Sequence, residues 1–239
     1  MARQSTKKEN EIVYVLHTYP FKETSLIVEI FSKIHGRISI VAKGARRPRS
    51  LVRGMLQSFQ SLEATWSGQG EIKTLHSIDW CDEILQIEGD ALICGFYINE
   101  LLIRLVPKED PHETLFDFYH QTMEHLSKKN NLSVTLRRFE LRLLQELGYE
   151  LPLVKDDNDE LVNPKKIYHY KVGYGPSETK NSTQGVTLLG KTLIDMSDDD
   201  YRDPKTETQS KNLMRYLIGY YIGDKPLNSK QLFLHLEGE

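Results

Sequence analysis

The sequence predicts a multidomain α+β protein, an N-terminal β-barrel followed by a mainly α-helical C-terminal domain. Three observations carry this reading. Apolar residues in the first eighty positions recur with the period of strands, and from Asp90 onward they recur with the period of helices. Charge divides at nearly the same place. Residues 1–80 hold twelve Lys/Arg against seven Asp/Glu, and residues 81–239 hold nineteen against twenty-seven, although the whole chain is only −3. Such asymmetry points to a polyanion bound at one end.

The strands come first. Glu11 to Tyr19 carries Ile12, Val13, Tyr14, Val15 and Leu16, and Leu26 to Phe31 is short and β-branched. His35-Gly36 makes a turn into Arg37 to Val41, which alternates with period two. Ser58 to Trp66 and Glu71 to Ile78 flank the turn Ser67-Gly68-Gln69-Gly70. Five short strands in about eighty residues suit a small closed barrel, and the OB-fold is the common five-stranded form. Domain 1 is therefore read as residues 1–80.

The remainder, 81–239, is read as the helical domain. Ala91, Cys94, Ile98, Leu101, Leu102 and Leu105 share one helix face, with Asp90 as N-cap. Asp110-Pro111 opens a second helix with Pro at its first position, and Leu115, Phe116, Tyr119, Met123 and Leu126 form its stripe. A third helix is capped by Ser133, turns Leu136, Phe139, Leu143, Leu144 and Leu147 inward, and ends at Gly148 as a C′ glycine. Residues 150–205 lose periodicity and read as turns and loops, with a short strand or helix within Val186 to Met196. Two helices close the chain, at about Ser210 to Ile222 and Asn228 to Leu236.

Composition excludes several classes. Two cysteines, Cys81 and Cys94, make neither a disulfide framework nor a four-cysteine zinc site. Met1 to Glu11 is polar and has no apolar core of a secretory signal, and no apolar stretch is long enough to span a bilayer. The expectation is a cytoplasmic protein with no membrane, no cofactor and no bound metal. No phosphate-binding loop, zinc-protease helix, nucleophile elbow or dinucleotide fingerprint occurs, so no catalytic residue is assigned. Asp198-Asp199-Asp200 could ligate a divalent metal, but consecutive carboxylates do not share a strand face, and a solvated loop is the better reading.

The chemistry-bearing feature is a basic run. Ile30 to Leu62 contains no Asp or Glu and carries Lys33, Arg37, Lys43, Arg46, Arg47, Arg49 and Arg53. Its densest part enters a loop bearing Gly44 and Pro48. Cations on a loop held by a rigid barrel can follow a phosphate backbone, and release of counterions drives such binding without regard to sequence. The bland alternative is a solvated loop that holds nothing. Tyr19, Phe21, Phe59 and Trp66 are candidates to stack on bases, but strand aromatics ordinarily face a barrel interior, so none is singled out.

Several segments, in order, resemble one family. They are Phe21-Lys22-Glu23-Thr24-Ser25-Leu26, His35-Gly36-Arg37, Ala42 to Arg47, Tyr97-Ile98-Asn99-Glu100-Leu101-Leu102 and Leu136 to Leu144, followed by Leu213 to Leu217 and Lys225 to Lys230. The set is similar to the RecO family of bacterial DNA repair, in the RecFOR recombination pathway. That resemblance implies an N-terminal OB-fold and a helical C-terminal domain. It implies binding of single- and double-stranded DNA and annealing of complementary strands. It also implies partnership with RecR and with single-stranded-DNA-binding protein (SSB), and indirectly with RecA, which it helps to load on coated DNA. Two features depart from the family pattern. Many members carry a four-cysteine zinc site after the third helix, absent here, and Lys230 stands where Arg is expected.

With that resemblance, the third helix acquires a second reading. Arg137 and Arg138 lie in its early turns, with Arg142 one turn after Arg138, although helix N-termini favour acids. Leu136, Arg137, Arg138, Phe139 and Arg142 make a candidate receptor for the acidic, apolar-ended C-terminal tail of SSB. The intramolecular alternative is pairing with Glu146 or with acids of 150–160. Two further function classes stay open, a metal-dependent nucleic-acid-processing enzyme using Asp198 to Asp200, and an OB-fold adapter with no salt-sensitive affinity for DNA.

Overall fold

The computed structural model describes residues 10–149, 151–178 and 185–229. Five strands form a closed barrel: β1 (Glu11–Phe21), β2 (Ser25–Ser32), β3 (Gly36–Ala42), β4 (Ser61–Ser67) and β5 (Ile72–Trp80), in the order β1-β2-β3-β5-β4 with β1 closing on β4. Neighbours are antiparallel except β3 and β5, which run parallel. This is the α+β architecture expected, with an OB-type barrel at the N-terminus. A short helix, α1 (Leu51–Met55), lies between β3 and β4.

The barrel interior is filled by Val13, Val15, Val28, Ile30, Ile38, Ile40, Leu62 and Trp66, with Val52 and Met55 of α1 packed against it. β1 is buried on both faces. Val13 and Val15 point in, while Tyr14 and Leu16 are 1% exposed on the outer face. Tyr14 and Phe31 meet an aromatic stripe on α3 (Glu113–Ser127), with ring centroids 4.9 Å apart for Tyr14–Tyr119 and 5.4 Å for Phe31–Phe116. Asn99 of α2 (Asp90–Leu105) donates to Leu16 O at 3.0 Å and accepts from the Tyr119 hydroxyl at 2.7 Å. The unbroken apolar run Val13 to Leu16 has this double burial as its cause, whereas Ile12 is 47% exposed. The chain divides into two compact units, one holding the residues up to Lys129 and those after Pro226, the other Asn130–Pro226.

Several helix starts differ from expectation. α2 has Gly89, at φ +58°, in the N-cap place, and Asp90 lies in its first turn, where a carboxylate still suits the helix dipole. α3 starts at Glu113 rather than at Pro111 because the preceding segment runs beside β3, with Glu109 N–H donating to Arg37 O at 2.9 Å. The third long helix, α4 (Leu132–Glu146), is capped by the Asn131 side chain, which accepts from Val134 N–H at 3.2 Å, so Ser133 is inside it. Its end is as expected. Gly148 at φ +78° donates to Gln145 O, and Tyr149 N–H reaches Leu144 O, the paired bonds of a Schellman motif.

Residues 150–205 depart furthest from the reading of turns and loops. They hold a three-stranded antiparallel sheet, β7-β6-β8, made of β6 (Ile167–Lys171), β7 (Gly175–Ser177) and β8 (Val186–Leu189), followed by α5 (Gly190–Ser197). Tyr168, Tyr170 and Leu188 are each 1% exposed, so the sheet has its own core. α6 (Pro204–Ile222) begins six residues before the expected Ser210, capped by Asp203 with Pro204 in the first turn. Most of the closing segment expected at Asn228 to Leu236, and Lys230, lie outside the described residues. Its described start is held by Glu100, whose carboxylate accepts from Asn228 N–H and Ser229 N–H, both at 2.9 Å, and from Ser229 Oγ at 2.8 Å. Burial works to raise the Glu100 pKa, but these bonds and Arg104 outweigh it and hold the carboxyl below its ordinary value.

Candidate nucleic-acid interface

The basic loop leaves β3 at Ala42 and is pinned at three places. Gly44, at φ +71°, makes the turn. Ala45 is fully buried among the barrel's apolar residues. Arg46 N–H donates to Thr24 O at 2.8 Å, which ties the loop to the β1–β2 turn. Between and beyond these anchors, Lys43, Arg46, Arg47, Arg49 and Arg53 are exposed. Among the described residues none of the five pairs with a carboxylate; the Arg46 guanidinium donates to Lys22 O at 3.0 Å. The structure therefore brings five of the seven predicted cations together on one rigidly mounted segment, with Arg53 in the last turn of α1.

The other two are placed elsewhere. Lys33, at the β2–β3 turn, forms an exposed pair with Asp117 at 2.7 Å. Arg37 is a structural residue: its side chain is 12% exposed, Nη1 lies 3.0 Å from Glu29 Oε2, and Nε donates to Val106 O at 3.0 Å. Glu29 also accepts from Ser39 Oγ and lies 3.8 Å from Lys108 Nζ, so four polar side chains satisfy one another on the outer wall of β2 and β3.

Lys22 stands beside these exposed cations although it lies outside the acid-free run. Leu26 pairs with Ala42, so the β1–β2 turn stands beside the exit of β3. The neighbouring Glu23 hides Lys22 in the linear pattern, and only the hairpin register exposes it. Of the candidate aromatics, Phe59 and Trp66 are core residues at 3% and 2% exposure. Phe59, at φ +72°, seats against Gly95, where an added Cβ would stand 2.9 Å from the ring. Tyr19 is 43% exposed and Phe21 half-buried, alternate residues on the end of β1 nearest the loop.

On α4, Leu136, Arg137 and Phe139 face inward. Arg137 is buried and paired with Glu140 at 2.6 Å. Arg138 and Arg142 face out, paired with Asp199 at 2.7 Å and Glu146 at 2.8 Å. The Asp198 to Asp200 carboxylates do not converge. Asp199 serves Arg138, whereas Asp200 is held by two bonds from the Arg202 guanidinium and by its backbone N–H, which push its pKa far below the carboxylate range. Among the described residues, no three His, Cys, Asp or Glu side chains are grouped to hold a metal ion.

A closed five-stranded barrel with a cationic loop unpaired among the described residues, followed by a helical region, defines the class of OB-type barrel proteins of mixed α+β build. Comparison with known proteins makes the class specific. Residues 7–84 match the family model "Recombination protein O N terminal" and residues 88–231 match "Recombination protein O C terminal". The DNA repair protein RecO of Nitrosospira multiformis is 48% identical over 229 residues, covering 95% of each chain. That of Dechloromonas aromatica is 44% identical, covering 97% of this chain and 98% of its own, and that of Aromatoleum aromaticum is 43% identical, covering 98% of each. The chain belongs to the RecO family of DNA repair proteins. No helix among the described residues is long and apolar enough to cross a membrane.

Proposed function

We propose that this protein is a non-catalytic recombination mediator that holds single-stranded DNA on the 43–53 loop and anneals complementary strands. The observation that carries the reading is the loop itself: five exposed cations free of carboxylate partners among the described residues, on a backbone anchored by Ala45 and Arg46 N–H. Two complementary strands repel through their phosphates. A cationic surface holding one strand lowers that repulsion for the second, and base pairing then supplies selection. Lys22 extends the track. Lys33 is available at small cost, because an exposed pair such as Lys33–Asp117 contributes only about 0–1 kcal/mol. Duplex DNA is held through the same phosphates.

Family membership supports the partners of this reading. SSB is met through its acidic C-terminal tail, RecR directly and RecA indirectly, in the cytoplasm at the nucleoid. For the SSB tail, Arg138 and Arg142 are the reachable cations of α4, and a peptide carboxylate would exchange with Asp199 and Glu146. The test is annealing of complementary oligonucleotides by the purified protein, with and without SSB on the strands and with a chelator present. Annealing that survives chelation, with strands left intact, is expected. Chelator-sensitive strand cleavage, or no salt-sensitive DNA affinity, would overturn it.

A further inference from the structure

We infer that the C-terminal half of α6 carries a second single-strand platform, in which Tyr220 stacks on a base and Lys211 and Arg215 hold the adjoining phosphates. The site lies in the second compact unit, apart from the barrel loop in sequence, and involves the Leu213 to Leu217 segment that the barrel site leaves unused.

Charge gives the first indication. The second half of the chain is acid-rich, yet residues 208–223 contain no Asp or Glu. Lys211 and Arg215, one turn apart on α6, are exposed, and among the described residues neither pairs with a carboxylate. Aromatic packing gives the second. The Schellman bond from Tyr149 N–H to Leu144 O fixes the chain just after α4. Tyr149 and Tyr221 stack there with ring centroids 3.8 Å apart and planes 25° from parallel. Tyr220 meets Tyr221 edge-on at 5.3 Å and 89°, and is 63% exposed. A large exposed ring held perpendicular to a stacked pair is a preorganised stacking surface. Helical spacing puts Tyr216 and Tyr220 in one row and Lys211, Arg215 and Gly219 in the next. A Cβ added at exposed Gly219 would meet nothing within 4 Å, so a ligand can approach the backbone at the end of the cationic row, beside Tyr220.

The ligand these features fit is a flexible polyanion with planar groups free to stack. Single-stranded nucleic acid meets both conditions, whereas duplex bases are already stacked and paired. An annealing protein gains from a second hold on the strand, so the inference shares the ligand class of the barrel reading while resting on different residues.

The experiment measures binding of a labelled oligothymidine to the full chain in an Arg46→Ala, Arg47→Ala, Arg49→Ala background, where the barrel loop is weakened and the further loss on substitution in α6 reports the second site. Adding Tyr220→Ala should weaken residual binding at least about fivefold, and Tyr220→Phe should leave it unchanged. Adding Lys211→Ala with Arg215→Ala should lower the log–log salt slope by about two. No residual binding in the background variant, or equal affinity with Tyr220→Ala, would overturn the inference. If the background variant binds as tightly as the wild type, the barrel assignment fails instead, and the Tyr220 pair still decides this one.

Discussion

Gly36 sits where two backbones meet. Its φ is +64°, and an added Cβ would stand 2.0 Å from Asp110 O. Gly36→Ala should therefore cost more than about 2 kcal/mol, from left-handed strain and the clash together, read as a lowered midpoint in denaturant. Unchanged stability would mean that the 106–110 segment is not held against β3. Arg37 makes a related point. Removing one partner of a buried ion pair costs about 3–5 kcal/mol because the other charge is left unpaired. Arg37→Ala should thus lower thermal stability markedly, whereas Arg47→Ala should lower DNA affinity and leave stability near wild type. Glu100 supplies a pH test. Its folded pKa lies below its unfolded value, so its contribution is complete above the ordinary glutamate pKa and is lost as pH falls through the depressed one. Glu100→Gln should be less stable than wild type at neutral pH, with the difference shrinking toward acid in paired denaturation curves. A difference independent of pH would contradict the ionised cap on Asn228 and Ser229.

At the scale of elements, the barrel strands were legible because period two survives wherever one face meets the core. β4 starts three residues later than its composition suggests, since left-handed Phe59 breaks the chain and Gln60 bonds to Leu85 in both directions. Gly148 announced its cap correctly, while the N-caps of α2, α3 and α4 slipped by one or two residues, because a tertiary bond at Arg37 sets the start of α3 and the Asn131 side chain caps α4. Within 150–205 the sequence marks only the segment Val186 to Met196, where β8 and α5 lie; β6 and β7, of five and three residues, are too short for a period to show among glycines and aspartates. The small sheet has a core of its own, with burial pushing the Tyr170 hydroxyl pKa strongly upward. Prolonged chelation should therefore leave the melting temperature unchanged, and stoichiometric zinc in untagged protein would contradict this. On α4, Arg138 and Arg142 are paired at the surface, where such pairs contribute little. Arg138→Glu with Arg142→Glu should leave a folded protein that no longer binds a labelled SSB tail peptide, with DNA affinity little changed. Equal peptide affinity would remove α4 from that site.

For the whole molecule, the division of charge between the two parts of the chain was visible in composition alone. Which cations are free was not. Arg37 is engaged by a carbonyl 69 residues away, and Lys22 reaches the interface only through the β1–β2 hairpin. Composition marked the basic run, and pairing geometry sorts its members into structural and exposed. The central claim is that the exposed members hold DNA by its phosphates. It is tested most directly by the salt dependence of single-strand binding in wild type and in Arg46→Ala, Arg47→Ala, Arg49→Ala. The variant should bind more weakly to every sequence, and its log–log slope should fall by about one for each phosphate that the loop no longer neutralises. An unchanged affinity and slope in a folded variant would contradict the assignment of DNA binding to this loop.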